Sequence, residues 1–170
     1  MLLAPGEIGT PPTVLIVSDN PKLMSMLSRF LSRQGMVTLS ADSGPQCLEK
    51  VLHQGAIDVI VLEMMMAGMN GFEVCVALKE IVSACAIPIV LLTDRDDLDT
   101  HLAAMRLGVS EFMLKPVRIR DFLAHVQIHV ECSRKAREME RALTYGVLEA
   151  ATPYQYFTES EKGGKKGRAL

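Results

Sequence analysis

Short, unbroken apolar runs alternate along this chain with segments of helical spacing, and that alternation limits the fold more than any other feature. Val14–Val17, Val59–Leu62 and the run from Pro88 to Thr93 are rich in β-branched residues and each ends at turn formers or a polar residue. Runs of this length with no polar alternation are the pattern of strands buried on both faces. Shorter strands are expected over Met36–Ser40 and Glu111–Lys115. Between them, Pro21–Gln34, Ser43–Gln54, Gly71–Val82 and Asp94–Leu107 carry apolar residues at three- and four-residue spacing, closed in three cases by Gly35, Gly55 and Gly108. Pro116, at a position where proline is tolerated, is expected to open the last helix.

Strands and helices in strict alternation predict an α/β fold, a doubly wound parallel sheet of five strands with helices on both faces. In such sheets ligands and reacting groups gather at the carboxyl ends of the strands, near the switch in strand order. That rule selects Ser18 and Asp19, Glu63, Thr93 and Asp94, and Lys115: carboxylates, hydroxyls and one ammonium around a single crevice.

Composition narrows the function. The 170 residues are nearly half hydrophobic, contain no Trp, and carry a formal charge of −2, so no general attraction to nucleic acid or to membrane is expected. Residues 1–115 hold 8 basic and 13 acidic side chains against 10 and 7 in residues 116–170, an acidic body with a mildly basic tail. Cys47, Cys75, Cys85 and Cys132 have neither zinc nor disulfide-framework spacing, and read as free thiols of a reducing compartment. No secretory signal is visible at the N-terminus, and no stretch approaches the ~20 apolar residues of a membrane span. A soluble, cytoplasmic protein is expected.

The segments VLIVSDN, DVIVLEMMMAGMNGFEV, PIVLLTD and EFMLKP, in that order, resemble the receiver domain of bacterial two-component response regulators over residues 13–131. The resemblance implies the flavodoxin-like receiver fold with strand order 2-1-3-4-5. It also implies an aspartate at the end of the third strand that takes a phosphoryl group from a kinase histidine with Mg²⁺, held by two acidic residues after the first strand. Thr93, Lys115 and Pro116 match the family, and Thr93 with Phe112 falls on its switch and interaction face, formed by the fourth helix, fifth strand and fifth helix. Four positions depart from the pattern. Glu63 stands in the acceptor position, Ser18 in that of the first acidic residue, Ala67 in that of the loop proline and Asn70 in that of the loop aspartate.

Two of these departures bear on the chemistry. Glu carries its carboxylate roughly 1–1.5 Å beyond the Asp position, and in-line displacement on phosphorus tolerates little misplacement. Ser18 removes a charge that Mg²⁺ would need. Asp19, Glu63 and the Met65 carbonyl remain as candidate ligands for weak Mg²⁺ binding, and otherwise no cofactor or metal is expected. Lys115 is a candidate for a standing ion pair with Glu63, which would hold the domain in a partly activated arrangement.

The expected function is therefore an atypical, degenerate receiver that signals by protein contacts, not an enzyme, with a histidine kinase or a downstream effector as partner and no nucleic acid or membrane. The alternatives are a receiver that takes phosphate inefficiently on Glu63 or another residue, and a small-molecule binder or enzyme in the same crevice. Within the chain, residues 1–12 are expected to form a flexible leader, 13–131 the receiver, 132–151 a continuation of the last helix, and 152–170 a mostly disordered tail. No separate output domain is expected. Phe122, His125, His129, Cys132, Ala136, Met139, Leu143 and Gly146 follow coiled-coil spacing, with Arg134, Arg137, Glu138, Glu140 and Arg141 on a solvated outer face. A homodimer through this helix or through the face of the fourth helix, fifth strand and fifth helix is expected. The alternatives are a helix that folds back on its own domain or reaches another partner. His125, His129 and Cys132 share a helix face, where partner contact is a simpler reading than a metal site that lacks a fourth ligand. Met64, Met65 and Met66 read as loop packing.

Overall fold

The computed structural model describes residues 9–81, 84 and 86–144. Most of the expected leader and all of the tail beyond Thr144 lie outside them, as does Cys85. Among the described residues the elements follow in order: β1 (Thr13–Val17), α1 (Pro21–Arg33), β2 (Val37–Ala41), α2 (Gly44–His53), β3 (Val59–Glu63), α3 (Gly71–Glu80), β4 (Ile89–Thr93), α4 (Leu98–Arg106), β5 (Glu111–Leu114) and α5 (Ile119–Thr144). All strand pairs are parallel and the sheet order is β2-β1-β3-β4-β5, the doubly wound architecture expected from the alternation.

Alternation along the strands divides the core. Val14, Ile16, Val59, Val61, Val90 and Leu92 point to one face and pack with Leu27 and Leu31 of α1 and Phe122, Val126 and Val130 of α5. Leu15, Val17, Ile60, Leu62 and Leu91 point to the other, against Cys47 and Val51 of α2, Val74, Cys75 and Leu78 of α3, and Ala104 of α4. The period of two along each strand thus explains why β1, β3 and β4 read as continuous apolar runs.

Helix starts follow capping chemistry. Asn20 accepts from the amides of Lys22 and Leu23 ahead of Pro21 at the first helical position. Asn70, which stands in for an aspartate of the family loop, builds a reciprocal capping box with Glu73 at the start of α3. Two expected starts are corrected. α4 begins at Leu98 and not at Asp94, because Asp97 is the residue whose carboxylate caps it through Thr100. α5 begins at Ile119 and not at Pro116, which follows Lys115 through a cis peptide in the connection after β5.

The face that α5 buries against its own sheet differs from the one with coiled-coil spacing. Phe122, Val126, Val130 and Ser133 are its buried residues, while Cys132 is exposed. Valines bury with no polar cost, whereas the imidazoles of His125 and His129 lie beside Glu111 of β5, at 3.0 and 3.4 Å from Oε2. Arg134, expected on a solvated face, is instead mostly buried. Its guanidinium meets Asp58, the residue just before β3 (Nε to Oδ1 3.2 Å), and donates to the Thr10 carbonyl at 2.8 Å.

Candidate functional site

Parallel strands end together, so the last residues of β1, β3, β4 and β5 meet at one edge of the sheet. Glu63 ends β3, Ser18 follows β1, Thr93 ends β4, and Lys115 follows β5. Glu63, Ser18 and Thr93 are buried, at 4%, 1% and 0% exposure. A carboxylate this deep requires partners for both oxygens. It has them in its own chain: Ser18 Oγ donates to Oε2 and Lys115 Nζ to Oε1. The Ser18 oxygen in turn accepts from the amide of Asn20 at 3.0 Å, so the N-cap of α1 joins the same network.

Lys115 is shared. Its ammonium also lies 3.0 Å from Asp94 Oδ2, and its own side chain is 20% exposed. Burial acts most strongly on its pKa and pulls it down, but the hydrogen bonds and charges of Glu63 and Asp94 together outweigh burial and hold the ammonium above its ordinary value.

The remaining residues selected from the strand ends take other partners. Asp19 Oδ2 accepts from the amide of Ala67 at 2.8 Å. Ala67 stands where the family pattern has proline, which has no N–H to give. Thr93 Oγ1 donates to the thioether of Met64 at 3.4 Å and accepts from the amide of Arg95 at 3.0 Å. Met64 and Met66 are buried while Met65 is exposed. Phe112 packs its ring edge-on to His101 of α4, with centroids 4.0 Å apart. The floor is closely built: a Cβ on Gly71 would stand 2.8 Å from both the carbonyl oxygen of Glu63 and the Cα of Met64. The capping role of Asn70 and the tie of Lys115 to Asp94 were missed in the sequence. Only the asparagine beside Glu73 at capping-box spacing carried a signal.

This donor set fits Mg²⁺ poorly. The ion needs near-octahedral oxygen ligation, most often with one or two carboxylates. Here both Glu63 oxygens already face donors, Ser18 offers a neutral hydroxyl turned toward Glu63, and Asp19 is engaged by Ala67.

The response regulator receiver domain model matches residues 14–127. This chain belongs to the receiver-domain family. Among relatives, the transcriptional regulatory protein YvrH of Bacillus subtilis is 28% identical over 153 residues, covering 90% of this chain and 60% of its own length. The heme response regulator HssR of Staphylococcus saprophyticus is 30% identical over 115 residues, 68% of this chain and 50% of that protein. The chain thus spans half to three fifths of these two receiver relatives. Among solved structures, chemotaxis protein CheY4 of Vibrio cholerae superposes with a TM-score of 0.66 at 25% identity, over 69% of this receiver chain and 98% of that one. No helix among the described residues is long and apolar enough to cross a membrane.

Proposed function

We propose that this receiver acts in two-component signalling as a degenerate, phosphorylation-independent module that works through protein contacts. The observation that carries the reading is the state of Glu63: both of its oxygens are held by side chains of the same domain, one by a hydroxyl and one by an ammonium. A carboxylate that is to attack phosphorus must present an unshared oxygen in line with the leaving group. In this crevice that oxygen would first have to give up Lys115 or Ser18. Its extra methylene carries it beyond the place an aspartate would occupy, and the donors around it suit a carboxylate without a metal ion. Mg²⁺ therefore has no role in this reading.

The contacts are assigned to the face of α4, β5 and α5. Leu98, Leu102 and Met105 of α4, Leu114 of β5 and Ile128 of α5 are exposed apolar side chains, a surface suited to a second copy or to a kinase or effector domain. Cys47 and Cys75 are buried free thiols, in keeping with a cytoplasmic setting.

Incubation of the purified protein with a small acyl-phosphate donor and Mg²⁺, followed by intact-mass measurement, tests the reading. The native chain is expected to stay unmodified, while a Ser18→Asp, Glu63→Asp variant gains one phosphoryl group. Modification of the native chain at the rate of the variant would overturn the proposal and make this a working phospho-acceptor.

A further inference from the structure

Lys115 does not serve Glu63 alone, and its second partner lies on the path to the surface. Asp94 is the first residue beyond β4 and stands three residues before Asp97, the cap of α4. Its carboxylate is 63% exposed, yet it meets the Lys115 ammonium at 3.0 Å, while the other side of that ammonium meets the buried Glu63. One cation therefore joins the crevice floor to the segment that feeds α4. Thr93, the other polar side chain at the end of β4, is oriented elsewhere, toward the Met64 sulfur and the Arg95 amide. The rest of the segment is tied to itself and to the helix: Arg95 to Asp97 at 3.3 Å, Asp97 to Thr100, and Asp96 to His101 at 3.5 Å.

We propose that Asp94 is a positioning residue that couples the Glu63 crevice to α4 through Lys115. The charge on Glu63 holds the ammonium in place, the ammonium holds Asp94, and Asp94 sets how firmly the entry to α4 is closed. α4 carries Leu98, Leu102 and Met105 at the surface, so the coupling reaches the apolar stripe to which protein contacts are assigned. It rests on the Glu63–Lys115 pair being a standing contact, as the proposed function does, and differs from it in naming an exposed, salt-sensitive second link. A pair this exposed is screened by salt and contributes modestly. The expected signature is thus a local, ionic-strength-dependent opening of α4.

Hydrogen exchange of the full chain at low salt and at ~1 M salt tests this. At low salt, Asp94→Asn is expected to raise exchange of the α4 amides by about two- to five-fold, with β1 and β3 unchanged. Asp94→Glu is expected to keep α4 protected, since it retains a carboxylate to face Lys115. At high salt the wild type is expected to approach the Asp94→Asn variant. Unchanged α4 exchange in Asp94→Asn, or an effect that persists undiminished at high salt, would overturn the coupling. Phosphoryl uptake by the native chain with the Asp94 effect intact would sink the proposed function and leave this inference standing.

Discussion

The two ends of β3 each bury a carboxylate, and each takes its cation from far along the chain. Asp58, just before the strand, is 2% exposed, and Glu63, at its end, is 4% exposed. Their surroundings differ in kind. Asp58 accepts from the backbone amide of Thr13 at 2.8 Å and from two nitrogens of the Arg134 guanidinium at 3.2 and 3.4 Å, and that guanidinium is itself fixed on the Thr10 carbonyl. Glu63 relies on two side chains, a hydroxyl and an ammonium, and the ammonium is shared with an exposed partner. A planar fork held by backbone groups is a fixed joint. A flexible lysine between two carboxylates can change partners. Burial of a charge therefore marks neither end as functional; the adjustability of what surrounds it distinguishes the crevice from the base of the sheet.

Truncation of the basal cation breaks this comparison most severely. Arg134→Ala leaves Asp58 buried without its guanidinium and frees α5 from the N-terminal edge of the sheet. A loss of about 3–5 kcal/mol is expected, read from urea unfolding midpoints. Lys115→Met is expected to cost less, about 1–3 kcal/mol, because water can reach the crevice once the lysine is gone. An equal or larger loss for Lys115→Met would mean that the crevice, not the base, is the fixed joint.

A glycine gives a second, smaller contrast. Gly71 opens α3 directly beneath Glu63, and an added methyl would meet backbone rather than a movable side chain. Gly71→Ala is expected to cost about 1–3 kcal/mol. Amide chemical shifts should change at Glu63 and Met64 and stay constant at Asp58 and Val59. Shifts that spread evenly along β3 would show that the two ends are not independent.

The asymmetry between the ends was only half legible in the sequence. The strand pattern located Ser18, Glu63, Thr93 and Lys115 at one edge, because a parallel sheet brings its strand ends together whatever its side chains do. That pattern has no counterpart at the other edge. Asp58 reads as the polar residue before an apolar run, and Arg134 as one charge among several on a long helix. Their meeting depends on the register of α5 against the sheet, and that register is set by Phe122, Val126, Val130 and Ser133. The spacing of Phe122, His125, His129 and Cys132 is equally helical and points to a different face. Burial separates the two faces, with Val126 and Val130 enclosed and Cys132 exposed; the imidazoles meet Glu111, a carboxylate on another strand that is invisible to periodicity. Asp94 was obscured for a similar reason: it lies close enough to α4 to pass for its cap, a role the structure gives to Asp97.

The smallest effect expected is the most specific to the crevice. Lys115 has its pKa raised in the folded state, so its contribution to stability is fully present below the unfolded lysine value, about 10.4, and is lost as pH rises through the folded one. The difference in unfolding free energy between the wild type and Lys115→Met should hold level from pH 8 to about 10 and then narrow. Cys47 and Cys75, pushed up by burial to about 12 and about 11, also withdraw stability as the pH rises. They are present in both proteins and cancel in the difference. The corresponding difference for Arg134→Ala should stay level across the same range, since a guanidinium does not titrate there. A Lys115 difference that stays equally level would mean that Glu63 and Asp94 do not hold the ammonium in solution, and the contrast between the two ends of β3 would lose its electrostatic basis.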